Sequence, residues 1–151
     1  MDVSLDLAGQ GRRLLQIGIA LFLFTSFQGF AVPFFASPNL GRSVHTLSGF
    51  TGVLLVALGL VWPKLDLGPA AARWAFWLLV YSSLVTILSF VMAAIWGAGN
   101  TTMPIAAGAA HGTDFQELAI KVVAFSGAPT GIIAFALILW GLRKAPARHS
   151  G

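Results

Sequence analysis

The sequence predicts an all-α integral membrane protein, a single bundle of four transmembrane helices running up and down. Three observations carry that expectation. Only 9% of the 151 residues are charged and 57% are hydrophobic, with a mean hydropathy of +0.84, whereas a soluble domain has about 25% charged residues. Four apolar stretches each supply the ~20 residues that cross a bilayer as a helix. Lys and Arg are divided unevenly between the connections, as the positive-inside rule requires.

Residues 1–13 form a polar N-terminal segment that ends at Arg12-Arg13. The first span follows, from Leu14 to about Phe35, without a charge. The alternative is a secretory signal, with Arg12-Arg13 as its basic region and Ala36-Ser37 near a cleavage point. A signal core of about 7–15 residues is shorter than this stretch, which also holds Gln28 and Pro33 late in its length. Pro33 and then Ser37-Pro38-Asn39 end the helix and turn the chain. The second span runs from Ser43 to Trp62-Pro63. After a short loop, Leu65 to Arg73, the third runs from Trp74 to Trp96, bracketed by tryptophans as membrane helices often are.

Gly97-Ala98-Gly99-Asn100 closes the third span, and the longest connection extends from Thr101 to about Gln116. The fourth span, Leu118 to Leu142, contains Gly127-Ala128-Pro129-Thr130-Gly131. There Pro129 cannot donate to the Phe125 carbonyl, which predicts a mild kink. Residues 143–151 form a basic tail, so the membrane domain is residues 14–142. Four spans put both termini on one side, with Arg12, Arg13, Lys64, Arg73, Arg143, Lys144 and Arg148. Only Arg42 and Lys121 fall on the other. Seven cations against two make the terminal side cytoplasmic.

The same composition excludes several functions. So few charges give no surface for nucleic acid; the bilayer is the partner the chain is built for. No cysteine means no disulfide, thiolate or iron–sulfur chemistry. With Asp2, Asp6, Asp66, Asp114 and Glu117 all read as terminal or in loops, no span holds the carboxylate that a proton-coupled exporter needs. The two helical pairs are too little alike for an inverted-repeat transporter.

What remains is a short inventory of polar groups at membrane depth, and His45 stands out in it. His45, Ser48, Gly49 and Gly52 share one helical face by i, i+3, i+4, i+7 spacing. An imidazole is costly in lipid unless it faces the protein, and glycines let a helix or a flat ligand come close. This face reads as the wall of a pocket. His45 itself is either a neutral imidazole bonded to a serine or water, or an axial ligand to a haem. His111 and His149 fall outside the spans. A haem on His45 would therefore have a sixth position that is not histidine and is open to substrate, which suits Lewis-acid chemistry better than electron transfer. Gln28 is hard to satisfy within one helix and is expected inside the bundle, toward His45. Lys121, four residues after Glu117, either pairs with it while its side chain snorkels to the interface or stands as a cation at the mouth of the pocket.

At these residues the chain resembles a family. Phe35-Ala36-Ser37-Pro38-Asn39-Leu40-Gly41-Arg42-Ser43-Val44-His45, followed by Gly49 and Gly52, is similar to the first signature of bacterial hydroxylaminobenzene mutases. Ala93-Ala94-Ile95-Trp96-Gly97-Ala98-Gly99, then Met103-Pro104-Ile105-Ala106 and Gln116-Glu117, resembles their second, and Leu139-Trp140-Gly141-Leu142-Arg143 resembles the end of their last helix. More distantly, the plan of four helices with one histidine opening the second span is similar to styrene oxide isomerase. The resemblance implies an isomerase in a bacterial plasma (inner) membrane, acting on a small apolar aromatic substrate. The mutases move a hydroxyl from the nitrogen of an aryl hydroxylamine to the ring, giving an aminophenol; the epoxide enzyme gives an aldehyde. It further implies haem b, with His45 as the iron ligand, Ser48, Gly49 and Gly52 beside the cofactor, and a homotrimer.

Two positions depart from these relatives. Thr51 and Thr86 stand where they have asparagines, and a threonine offers one hydroxyl in place of an amide's acceptor and two donors. On the isomerase reading Thr51 and Thr86 line the site, with Tyr81 and Gln28 as further catalytic candidates. The alternatives are a membrane protein that binds haem or a small molecule without catalysis, and a structural bundle.

Overall fold

The computed structural model describes residues 3–143. The expected basic tail from Lys144 onward, with Arg148 and His149, lies outside the described residues. Five helices follow in order: α1 (Val3–Ala31), α2 (Pro38–Val61), α3 (Pro69–Trp96), the short α4 (Pro104–Ala107) and α5 (Asp114–Gly141). Four of them are long and apolar enough to cross a membrane, and the protein is an integral membrane bundle. At 1.5 Å per residue, helices of 24 to 29 residues exceed the ~30 Å hydrocarbon layer. Their ends therefore reach the headgroups.

The helices are longer than the apolar stretches that announce them. α1 begins at Val3, so the polar segment before Leu14 is helical from Val3 on. α5 begins at Asp114 because Thr113 and Gln116 form a capping box, each side chain taking the other's backbone N–H. Asp6, Asp114 and Glu117 are consequently helical, and Glu117 is buried. α5 runs unbroken through Pro129. Breaks fall where proline and glycine put them. A 3₁₀ turn at Val32–Phe34 ends α1, and Ser37 caps α2 with Pro38 in its first turn. Gly97, at φ +62°, ends α3 in the left-handed conformation that glycine adopts without strain.

α1 packs along α2, α3 packs along α5, and the two pairs meet through α2 and α3. The α1–α2 seam repeats every seven residues. Leu7, Leu14, Leu21 and Gln28 are buried on α1, with Gly11, Gly18 and Thr25 between them. Opposite them the buried series is Gly41, Ser48 and Leu55 on α2 and Trp62 just past its end, with Gly52 and Gly59 between. This is a heptad seam, antiparallel, with glycine in alternate rungs. A Cβ on Gly18 would lie 2.8 Å from the Gly52 carbonyl oxygen, and one on Gly11 2.8 Å from that of Gly59. The helices touch backbone to backbone. Trp62, fully buried, fastens one end by donating its indole N–H to Gln10 Oε1 at 2.9 Å.

The α3–α5 seam is built the same way on a smaller scale: a Cβ on Gly131 would lie 2.6 Å from Ser82 Oγ. Gly49, Gly52, Ser82, Gly127 and Gly131, the small residues expected at helix contacts, all lie at one seam or the other. Two backbone bonds tie the pairs together. Ser37 N–H donates to the Ala94 carbonyl at 3.2 Å, and Asp66 N–H to the Gly141 carbonyl at 2.8 Å.

The seam predicts opposite outcomes for one substitution at two helical glycines. Gly18→Ala adds a methyl where Val56 and Gly52 leave no room; such overpacking costs about 1–3 kcal/mol. Gly9→Ala meets nothing within 4 Å and gains up to ~1 kcal/mol of helix propensity. Thermal unfolding in detergent, followed by circular dichroism, should place Gly18→Ala below the parent protein and Gly9→Ala at or above it. Equal melting temperatures would contradict a backbone-to-backbone seam.

Candidate active site

His45 sits at the last rung of the α1–α2 seam, where α1 offers Gly29. A Cβ on Gly29 would come within 3.1 Å of His45 Cε1 and 3.2 Å of Nδ1, so the ring lies directly on the α1 backbone. Its Nδ1 is 3.1 Å from the Thr25 carbonyl oxygen. A carbonyl only accepts, so Nδ1 carries the hydrogen and donates it. The lone pair is then on Nε2, which has no protein partner among the described residues. The far edge of the ring is exposed on the single chain.

That edge lines an open groove of about 520 Å³, walled by Gly29, Val32, Pro33, Arg42 and Thr46. A second groove of about 530 Å³ begins on the other side of Arg42 and Thr46 and continues over Ser43, Leu47, Phe50 and Phe90. A third, of about 550 Å³, shares Ser43 and Phe90 with it and runs on over Thr102, Met103, Pro104 and Ile105. The exposed side of α2's first turns is therefore flanked by three adjoining apolar grooves that together make a shallow channel open at the surface. Each part is within the 300–1,000 Å³ that small-molecule sites occupy.

The remaining expected site residues are distributed differently. Thr25 organises the turn behind the imidazole. Ser48 donates its hydroxyl to the Val44 carbonyl at 2.7 Å, so the 2.8 Å contact between the Thr25 and Ser48 hydroxyls has Thr25 as donor. Thr25 thus gives its hydroxyl proton to Ser48 and accepts the His45 proton on its carbonyl. Gly49 faces the Thr25 methyl, and Gly52 faces the Gly18 carbonyl and the Phe22 ring. The face expected as a pocket wall is filled by α1, because glycine and serine there admit a whole helix. Only His45, at the end of the face, reaches open space.

Gln28 faces inward as expected but reaches α2 one turn before the histidine, donating its Nε2 to the Gly41 carbonyl at 2.8 Å. Its Oε1 is buried without a protein partner among the described residues. Thr51 is buried within the bundle. Thr86 and Tyr81 belong to the other pair of helices. The Thr86 hydroxyl returns to the Ser82 carbonyl at 2.8 Å, and the half-exposed Tyr81 donates to Ser126 Oγ at 3.0 Å. None of Gln28, Thr51, Tyr81 and Thr86 lines the channel beside His45. Arg42 and Thr46 do. They could have been found in the sequence as the i−3 and i+1 neighbours of His45.

Glu117 corrects another expectation. It turns away from Lys121, which is exposed, and into the connection between α3 and α5. Oε1 accepts from Gly99 N–H at 2.7 Å and Gly112 N–H at 3.1 Å; Oε2 accepts from Thr101 N–H at 3.1 Å and the Thr101 hydroxyl at 2.7 Å. Gly99 holds φ +112°, a conformation in which a side chain would be strained. His111 Nδ1 stands 3.8 Å from the same carboxylate. One carboxylate collects the whole connection and presents Thr102 to Ala106 as the wall of the third groove.

Glu117→Gln puts an amide where two Thr101 donors point. It should cost about 1–3 kcal/mol, the usual cost of leaving a buried donor unmet. Hydrogen exchange at the Gly99, Thr101 and Gly112 amides should accelerate while the helix interiors stay protected. Unchanged exchange there would show that the carboxylate is not what holds the loop.

The family model described as styrene oxide isomerase matches residues 10–143. The chain is similar to two proteins of Ectopseudomonas oleovorans. It is 46% identical to hydroxylaminobenzene mutase HabB over 139 residues, 92% of this chain and 85% of that one. It is 36% identical to hydroxylaminobenzene mutase HabA over 131 residues, 87% of this chain and 97% of that one. No solved structure matches.

Proposed function

The chain belongs to the styrene oxide isomerase family and is a membrane isomerase resembling the hydroxylaminobenzene mutases, and we propose that its reaction moves a hydroxyl within an aryl hydroxylamine to give an aminophenol. No net oxidation or reduction accompanies that step: the N–O bond breaks and a ring C–O bond forms on the same molecule, while the proton lost from that ring carbon is balanced by one gained on nitrogen. The choice of this reaction over epoxide opening follows the mutases' names. The reading of the site rests on one observation, the His45 imidazole whose Nδ1–H is spent on the Thr25 carbonyl and whose Nε2 is left to face an apolar groove.

That tautomer fits haem b. Metal-bound histidines characteristically donate their other ring N–H to a carbonyl or carboxylate, which fixes the ring and makes it a stronger ligand. His45 would hold the iron through Nε2, with Gly29, Val32, Pro33 and Thr46 around it. The bound iron would supply a Lewis acid for the oxygen of the bond that breaks. The chain's own residues do the rest. Gly29 lets the ring seat against α1, and Thr25 keeps its proton on Nδ1. The shallow channel over Phe50, Phe90 and Met103, open toward the bilayer, takes a flat apolar substrate from it.

An exposed imidazole at membrane depth is unfavourable against lipid, and the groove beside it is open on a single chain. These two facts support an assembly in which a neighbouring copy covers the groove; that the assembly is a homotrimer rests on the resemblance alone. The cation distribution supports an orientation with both termini cytoplasmic and His45 in the outer half, and the resemblance to bacterial mutases supports a bacterial plasma membrane.

Purified protein, expressed with haem supplied, should show a Soret band. Its membranes should convert hydroxylaminobenzene to 2-aminophenol. His45→Ala should remove the band and reduce conversion to the level of membranes without the protein. Gly29→Ala, which pushes the ring off Thr25, should weaken haem retention by roughly 10–100-fold, as loss of the outer hydrogen bond to a metal-bound histidine does. A protein that keeps its Soret band in His45→Ala would refute the assignment of the ligand. Haem without conversion of the hydroxylamine would count against the mutase reaction and leave other isomerisations open.

A further inference from the structure

One charged side chain in the channel has no role so far. Arg42 lies one turn before His45, at i−3 and so on the same side of α2. It is exposed, and it is the only charged residue among those lining the three grooves. Among the described residues no carboxylate lies within ion-pair distance of it; the single charged contact is that between His111 and Glu117. Glu117 is committed and Asp6 and Asp66 are remote in the fold, while Asp114, at the same end of the bundle as Arg42, makes no ion pair with it. Glu117 is bound to the loop, and Asp6 sits with Arg13 and Arg73 in a groove at the opposite end of the bundle. Asp66 is in the α2–α3 connection at that same opposite end, and Asp114 opens α5.

The backbone that carries Arg42 is rigid. Ser37 caps the helix, Phe35 packs on Gly41, and Gln28 takes the Gly41 carbonyl. A guanidinium mounted this way in an apolar rim wants an anion, and its planar fork suits a carboxylate held by two hydrogen bonds.

We propose that Arg42 anchors a propionate carboxylate of the haem held by His45. This rests on the haem reading above and adds to it which way the cofactor lies. With the iron at His45 and an acidic edge at Arg42, the carboxylates point toward the start of α2, at the headgroups, and the apolar edge points into the bilayer-facing groove. Each end of the cofactor then meets its own kind of surroundings. A phospholipid phosphate has the same anionic chemistry, so the test must separate the two.

The full-length protein is loaded in nanodiscs of zwitterionic phosphatidylcholine, once with haem b and once with haem dimethyl ester, whose propionates carry no charge. The rate of transfer to excess apomyoglobin, read from the Soret band, measures retention. The parent protein should hold haem b at least tenfold longer than Arg42→Gln does, with Arg42→Lys in between. With the ester, parent and Arg42→Gln should release at the same rate. Circular dichroism checks that each variant keeps its helix content, and a lysine variant that restores retention excludes a folding defect. Equal release of haem b from parent and Arg42→Gln, as expected if the guanidinium serves a lipid phosphate, would overturn the proposal and leave His45 as ligand untouched. A loss of retention that is as large with the ester as with haem b would overturn it too, by showing that Arg42 acts through packing. No Soret band in the parent would remove the haem reading and this proposal together.

Discussion

Everything distinctive in this molecule depends on how closely α1 and α2 approach. The hydrogen bond from the His45 ring to the Thr25 carbonyl is a contact between a side chain and the main chain of another helix. Gly29 leaves the ring its place: a Cβ there would lie 3.1 Å from it and press it outward by a few tenths of an ångström. Gly11, Gly18, Gly52 and Gly59 hold the helices that close along the whole seam. In water such a seam would be driven by apolar burial. In lipid that force is absent between helices, and close packing with a few polar contacts must supply the association. The hydroxyl chain from Thr25 through Ser48 to Val44 adds a directional component at the same level as the histidine.

The division of labour between the two helical pairs follows from this. α1 and α2 fix the imidazole and orient its proton. α3 and α5 contribute a wall: Phe90 from α3, and the Thr102–Ala106 stretch that Glu117 holds in place from the head of α5. The signature blocks shared with the mutases thereby acquire separate physical meanings. Gly99 provides a backbone conformation and an N–H for Glu117, Gln116 completes a helix cap, and Gly41 packs under Phe35. These are constraints on shape. Of the residues those blocks contain, His45 and Arg42 are the ones whose chemistry faces open space beside the groove.

The bundle was legible in the sequence because hydropathy and the positions of proline and glycine are local signals. Helix ends were less so. α5 starts at Asp114 rather than Leu118 because the capping box at Thr113 and Gln116 carries the helix outward past the apolar residues. The histidine could be picked out since an imidazole in an apolar run is rare and costly. Its neighbours on the same helical face misled, because the pattern that lets a flat ligand approach is also the pattern that lets a helix approach. Ser48, Gly49 and Gly52 have the second use. Glu117 shows the same limit: an i,i+4 partner in Lys121 is visible in one dimension, while four donors in a loop that closes only in three are not. Thr86 and Tyr81 lie on the far pair of helices for the related reason that linear order does not say which seam a residue serves.

The seven-residue rhythm of the first seam also limits what the chain can absorb. Each residue turns a helix by about 100°, so deleting one between Gly11 and Gly18 would bring Ile19 into the rung that Gly18 fills. It would also swing the glycine beneath His45 away. A change of one apolar side chain for another on the lipid-facing flank leaves the seam untouched, but a change in the spacing of α1 does not. The length of one helix between two of its glycines is set by an imidazole on a different helix.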